Sequence, residues 1–354
     1  MFVATLEFLH EIESNMQTIS SRAYDSLLAN MWWRSVATER RSVSKKELLV
    51  WLISTARLRN VEPGNGHFED MLMKETEIEN DFATDGLILR KEQLEDVFNG
   101  MPGGEGLQMA SRWASDIGAQ IAYWPQEKVA HAILDGASAG FTSYDGLTFF
   151  NTAHFLNGVD DGDGTFSNIL NPTTVGHATR IDDGVTLDAA MENLSAVRRY
   201  IATIKMPNGV QPRNLRMRAI LHPTALRQRA VQLTASSIIA QAAASGGGSA
   251  DVAAVIADWN LDQPLEATEL GAAYSSEEGN SGSDTSYYIV AYQPGTEGDL
   301  GPLVYQTRED FGIVMNDGMT DAELRRAREI QWTTQGRNAV GYGHPYLLFQ
   351  VNNS

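Results

Sequence analysis

Hydrophobic positions along the chain fall into blocks of helical and strand-like spacing. Near the N-terminus, Leu6, Leu9 and Ile12 recur at three-residue steps and predict a helix. The first 60 residues also carry Trp32, Trp33, Leu49, Trp51 and Ile53, with the basic cluster Arg40, Arg41, Lys45 and Lys46 between them, read as a solvated face. So large an apolar load ahead of the first compact unit needs a surface to cover it. An arm lying on a neighbouring chain is expected to provide one. Pro63, Gly64 and Gly66 then punctuate the chain, and residues 71–80, MLMKETEIEN, partly alternate. Asp85-Gly86 in front of Leu87-Ile88-Leu89 predicts the turn of a long hairpin. Such a ribbon is marginal alone and is expected to pack on another chain.

The strongest helical pattern follows Gly103 and Gly104. Ala110, Trp113, Ile117, Ile121 and Trp124 share one face, and Val129 and Ile133 continue it. Pro125 predicts a kink or a fresh helix start, and Gly136 and Gly140 end the run. Tyr144-Asp145-Gly146 predicts a tight hairpin leading to Asn151 and His154, then an acidic loop at residues 160–164. A second amphipathic helix is expected from Leu187 to Ile204, with Thr186 as N-cap and Asp188 at its positive end. Met217 to Leu221 reads as a strand closed by His222-Pro223, and a helix is expected from Thr224 to about Ala244. Ser245 to Ser249 is flexible by composition but is not a domain boundary, because strand-like runs resume beyond it. Those runs are Val252–Trp259, Tyr287–Tyr292 and Leu303–Tyr305, with a polar loop at residues 277–284. Asp321 to Glu329 reads as a short charged helix, and Val340 to Val351 as terminal strands bent at residues 343–345.

Composition narrows the function. The 354 residues support one large or two ordinary domains, and 43% hydrophobic content argues against global disorder. There is no cysteine, which removes disulfides and thiolate metal sites and suits synthesis in a reducing compartment. The N-terminus lacks the pattern of a signal peptide, and no apolar run approaches membrane-spanning length. A net charge of -18 argues against wrapping nucleic acid directly. It remains compatible with a container whose acidic wall keeps DNA from sticking.

Candidate chemistry is thin. Asp161 and Asp163 have the opening spacing of a calcium loop, but Gly164 comes too early and no glutamate occupies the twelfth place. A plain loop is the favoured reading, with a weak cation site as the alternative. The seven histidines show no zinc spacing. His154 near Asp145 and Asn151 invites a catalytic reading, yet no nucleophile motif or phosphate loop accompanies it. Lys74 reads as a surface lysine beside Glu75. No catalytic, cofactor-binding or metal-ligating residue is therefore assigned, and the weight moves from enzyme to structural protein.

Several segments resemble the Mu-like major head subunit family, the capsid proteins of tailed phages with the fold named after phage Hong Kong 97. They are the hairpin end at residues 87–96, Trp124 to Leu134, the block Tyr144-Asp-Gly-Leu-Thr-Phe-Phe-Asn-Thr-Ala-His154, Met206 to Leu215, Ile220 to Leu226, and Arg308 to Gly312. The resemblance implies an α+β fold in four parts. These are an N-terminal arm (1–60), an extended β-hairpin loop (61–100), a peripheral domain with a long spine helix (101–184 and 321–354), and an apical domain (185–320). It implies self-assembly into pentamers and hexamers of an icosahedral head, made in the host cytoplasm and carried in the virion. Packaged double-stranded DNA, a separate scaffolding protein, a portal and a decoration protein are the implied partners, with no cofactor and no membrane. In that family the hairpin is implied to lie over the spine region of a neighbour. A nanocompartment shell of the same fold is the first alternative. A metal-dependent hydrolase using Asp161, Asp163 and His154 is the second.

Overall fold

The structure, a computed structural model, describes residues 6–52, 73–90, 92–94, 105–160, 162, 164–207, 209, 211–234, 261–294, 301–316 and 329–352. The glycine-rich run at 245–249, the strand expected at 252–259, the helix expected at 321–328, and Asp161, Asp163 and His67 lie outside the described residues.

Helix α1 (Leu6–Leu28) opens the chain, and a 3-10 turn at Trp32–Ser35 leads into β1 (Ala37–Arg41). Strands β2 (Lys46–Leu52) and β3 (Met73–Glu79) form an antiparallel ribbon, and Asn80 joins β3 to β4 (Asp81–Arg90). Helix α2 (Glu105–Asp135) is the longest element, at 31 residues or about 46 Å. Three two-residue strands follow: β5 (His154–Phe155), β6 (Thr165–Phe166) and β7 (Ile169–Leu170). Then come α3 (Leu187–Thr203), β8 (Arg216–His222), α4 (Arg227–Thr234), β9 (Leu265–Glu266) and β10 (Tyr287–Tyr292). Two long strands, β11 (Leu303–Met315) and β12 (Glu329–Tyr342), precede β13 (Leu348–Val351).

The strands make two principal sheets. One has the order β1-β11-β12-β4, with β1 parallel to β11 and the other pairs antiparallel. The other has the order β7-β13-β10-β8-β9. On the first sheet, Leu87, Leu89, Ile313, Met315, Ile330 and Trp332 point to one face. There they pack with Leu9, Ile12 and Met16 of α1 and with Ala110, Ala114 and Ile117 of α2. On the second, α3 covers one face through Met191, Leu194, Val197 and Ile201, capped at Thr186 as its sequence predicts. The opposite face of the second sheet meets Val129, Ala130 and Ile133 of α2, together with Trp32, Trp33, Phe149 and Phe150. A single helix thus serves two sheets, its N-terminal half on one and its C-terminal half on the other.

Three expectations are corrected. Asp85-Gly86 does not turn: β4 runs straight through it, with Asp85 opposite Thr334 and Gly86 opposite Thr333. Burial of Leu87 and Leu89 against Trp332 and Ile330 outweighs the local turn preference. The ribbon is instead β2 with β3, so it starts at Lys46, and residues 53–72 between the strands lie outside the described residues. Secondly, the described part of the N-terminal apolar load is buried on its own chain. Leu9, Met16, Trp32 and Trp33 are all buried, and β1 enters the first sheet. Thirdly, of the kink and the fresh start expected at Pro125, the fresh start is ruled out, because Pro125 lies inside one continuous helix.

The two helices on the first sheet cross where α2 presents Ala110, Ala114, Gly118 and Ala122 at four-residue steps, a ridge of small residues that lets backbones approach. A Cβ at Gly118 would collide with the Ser20 carbonyl oxygen and stand 2.8 Å from its Cα, both backbone atoms that cannot rotate away. Helix propensity alone would make Gly118→Ala stabilising by about 1 kcal/mol. The crossing reverses the sign: Gly118→Ala should cost about 1–3 kcal/mol in urea unfolding. A neutral or stabilised variant would show that α1 does not seat here.

Candidate functional site

The block from Tyr144 to His154 folds as a small clasp. Ser143 N–H donates to the Leu147 carbonyl, Thr142 bridges Thr148, and Gly146 takes the left-handed conformation (φ 79°) that the turn requires. The Asp145 carboxylate accepts from Leu147 N–H at 3.2 Å, and its other oxygen lies 2.6 Å from His154 Nδ1. His154 Nε2 lies 3.0 Å from the Phe149 carbonyl, and the ring stacks on Phe166. Both imidazole nitrogens are therefore engaged by acceptors of the same clasp, and the pair is fully buried. Asn151 accepts from Ala153 N–H and donates to Thr148 Oγ1, while Asn168 Nδ2 donates to the carbonyls of Phe149 and Pro345. His154, Asp145 and Asn151 are thus brought together, as the sequence suggested, but as a lock on a loop. Burial holds the Tyr144 phenol neutral by pushing it far up.

A second polar network, missed in the sequence, ties the C-terminal half of α2 to residues 269–280. Gln126 and Trp32 Nε1 donate to the buried Glu269 carboxylate. The Tyr274 hydroxyl donates to Glu127 and lies 3.1 Å from His131 Nε2. Lys128 donates to Glu277 at 2.6 Å and holds that carboxyl below its ordinary range. Asp135 accepts from Ser276 and Asn280. The available signal was Glu127, Lys128, His131 and Asp135 recurring on one side of the helix ahead of a loop rich in serine and asparagine.

Elsewhere the candidates stay apart. His10 lies beside Glu13 on α1, His177 is exposed, His222 is buried and held low by that burial, and His344 packs at a tilt against Tyr346. Lys74 lies on β3 opposite Trp51. Among the described residues no three His, Asp or Glu side chains gather as a metal site. None of their helices is long and apolar enough to cross a membrane.

Two further surfaces carry apolar side chains. The inward side of the β2–β3 ribbon packs Leu49 and Ile78 against Tyr144, Val304 and Ala339. A Cβ at Gly341 would collide with Ile78, so the ribbon sits directly on the β12 backbone. The other ribbon side leaves Leu48 and Val50 exposed, and the first sheet exposes Phe82, Ile88 and Val314 on the face away from the helices.

A family model described as the Mu-like prophage major head subunit gpT matches residues 9–181 and 257–354. The chain belongs to that family. It is a phage major capsid protein of α+β architecture, and neither the nanocompartment nor the hydrolase alternative is favoured. Among solved structures, the capsid of cyanophage P-SCSP1u shares the fold at 11% identity and TM-score 0.53, over 92% of this chain and 89% of that one. The procapsid of bacteriophage JBD30 matches at 15% identity and TM-score 0.45, over 98% of this chain and 75% of that one. No curated protein sequence matches. For this capsid protein the clasp is a stability element. Asp145→Ala strips a buried histidine of its partner and should cost roughly 1–3 kcal/mol in denaturant unfolding. An unchanged midpoint would contradict that role.

Proposed function

We propose that copies of this capsid protein form pentamers and hexamers that tile an icosahedral head around double-stranded DNA. The carrying observation is the family match, joined by apolar surfaces that one chain leaves uncovered. The mechanism is geometric and needs no chemical step: each contact joins two different patches, and closure of such heterologous contacts gives rings. Assembly takes place in the host cytoplasm with a scaffolding protein and a portal, and a decoration protein is a further partner of the finished head. The net charge of -18 supports a lining that repels packaged DNA and so leaves it free to move.

Of the four parts, the arm (1–60) and the extended loop (61–100) are redrawn around the β2–β3 ribbon, which starts at Lys46, and around β4 in the first sheet. The peripheral domain (101–184 and 321–354) and the apical domain (185–320) fit this role. Two strands stitch the last two parts together. β11, from the apical range, pairs in the first sheet, and β13, from the C-terminal range, pairs in the second. Such exchange supports a subunit whose domains move as one body.

Co-expression with a scaffolding protein and portal, followed by electron microscopy, tests the reading. Closed shells of uniform diameter are expected. Monomers that persist under every assembly condition would overturn it.

A further inference from the structure

On α2, one nitrogen of the His131 ring has nothing to bind while the ring is neutral. His131 faces the loop at residues 271–280, which leads from β9 into β10 of the second sheet. The same helix grips that loop through Glu127, Lys128 and Asp135. The Tyr274 hydroxyl donates its only hydrogen to Glu127 at 3.2 Å. Burial, with the Glu127 carboxylate beside it, pushes the phenol up and keeps that hydrogen in place. Toward His131 Nε2, 3.1 Å away, the Tyr274 oxygen can therefore only accept, so Nε2 carries a hydrogen. A neutral imidazole has one hydrogen, which leaves Nδ1 bare.

Nδ1 is sealed from solvent and makes no hydrogen bond among the described residues. It faces a carboxylate oxygen, Glu277 Oε1, at 3.7 Å. Lys128 holds that carboxylate in place at 2.6 Å, with its own ammonium 4.8 Å from the centre of the Trp124 ring. A buried lone pair held against a carboxylate is unfavourable. A second hydrogen on the ring removes the conflict. Nε2–H then donates to Tyr274, Tyr274 O–H donates to Glu127, and Nδ1–H points at Glu277. The charge also falls where it is balanced. The ionisable groups of the joint are Glu127, Glu269, Glu277 and Asp135, and among the described residues Lys128 is the one cation set against them.

We propose that His131 is a proton latch: a proton taken up at Nδ1 turns the bare nitrogen into a donor for the Glu277 carboxylate and tightens the joint between α2 and the loop at residues 271–280. The contact exists only with the doubly protonated ring. Its stabilisation is therefore present in acid and lost as pH rises across the range, about pH 5 to 8, where imidazoles change charge. The second sheet follows α2 firmly on the acid side of neutrality and more loosely above it. The latch lies within one chain and stands apart from the assembly reading.

Hydrogen exchange of the full-length chain at about pH 5.5 and about pH 8 tests it. Rates are expressed as protection factors, so that the intrinsic pH dependence of exchange cancels. The reporters are the amides of Tyr274, Ser276 and Gly279, each hydrogen-bonded within the loop. Their protection should be about two- to fivefold higher in acid. His131→Gln, whose amide can still donate to Tyr274, should abolish that step. Glu277→Gln, altered at a side chain that is 65% exposed and so safe for folding, should abolish it as well. Equal protection at both pH values in the unaltered chain overturns the latch, and so does a step that survives either substitution.

Discussion

A β-sheet has two faces, and burying both is the constraint on which the rest of this molecule depends. The first sheet meets it on one side with α1 and α2, which lie together on Leu87, Leu89, Ile330 and Trp332. On the other side, among the described residues, the chain supplies a ribbon that packs on Val304, Ala339 and Gly341. The remainder of that face, with Phe82, Ile88 and Val314 exposed, and the outer side of the ribbon, with Leu48 and Val50 exposed, are the apolar surfaces on which the proposed tiling rests.

The helix α2 makes that arrangement rigid. Its first half uses small residues to bring α1 within backbone contact at Gly118 and Ser20. Its second half packs on the second sheet through Val129, Ala130 and Ile133, and its polar side grips residues 269–280 through Glu127, Lys128, His131 and Asp135. A contact made at one sheet is thereby held at a fixed distance from the other. The clasp at Tyr144 to His154 closes the space where α2 ends, with Phe149 stacked on Tyr342 and Phe150 packed beside Gly136.

Much of the framework was legible from periodicity. The spacing of Leu6, Leu9 and Ile12, the stripe from Ala110 to Ile133, the Thr186 cap and the strand at Tyr287–Tyr292 all appear where expected, because each buries a continuous apolar face. The long strand β12 was not legible. Its buried positions continue from Ile330 and Trp332 through Thr334, Gly336 and Asn338, small or polar residues that hide the alternation. Asp85-Gly86 misled for the opposite reason: a strong local signal was overruled by tertiary pairing. The destination of the N-terminal tryptophans was also illegible, since a sequence states that a side chain needs cover and not which chain supplies it. At the clasp, the nearness of His154 to Asp145 and Asn151 was readable. That both ring nitrogens are already engaged follows only from the backbone carbonyl of Phe149.

Hydrogen exchange read by mass spectrometry, comparing unassembled subunits with purified shells, tests most directly whether the uncovered faces are what copies use. If they are, peptides spanning residues 46–50 and 82–88 exchange readily in the subunit and slow together in the shell. The α1–α2 crossing around Ser20 and Gly118, already satisfied within one chain, changes little. Equal exchange of residues 46–50 and 82–88 in both states would contradict it.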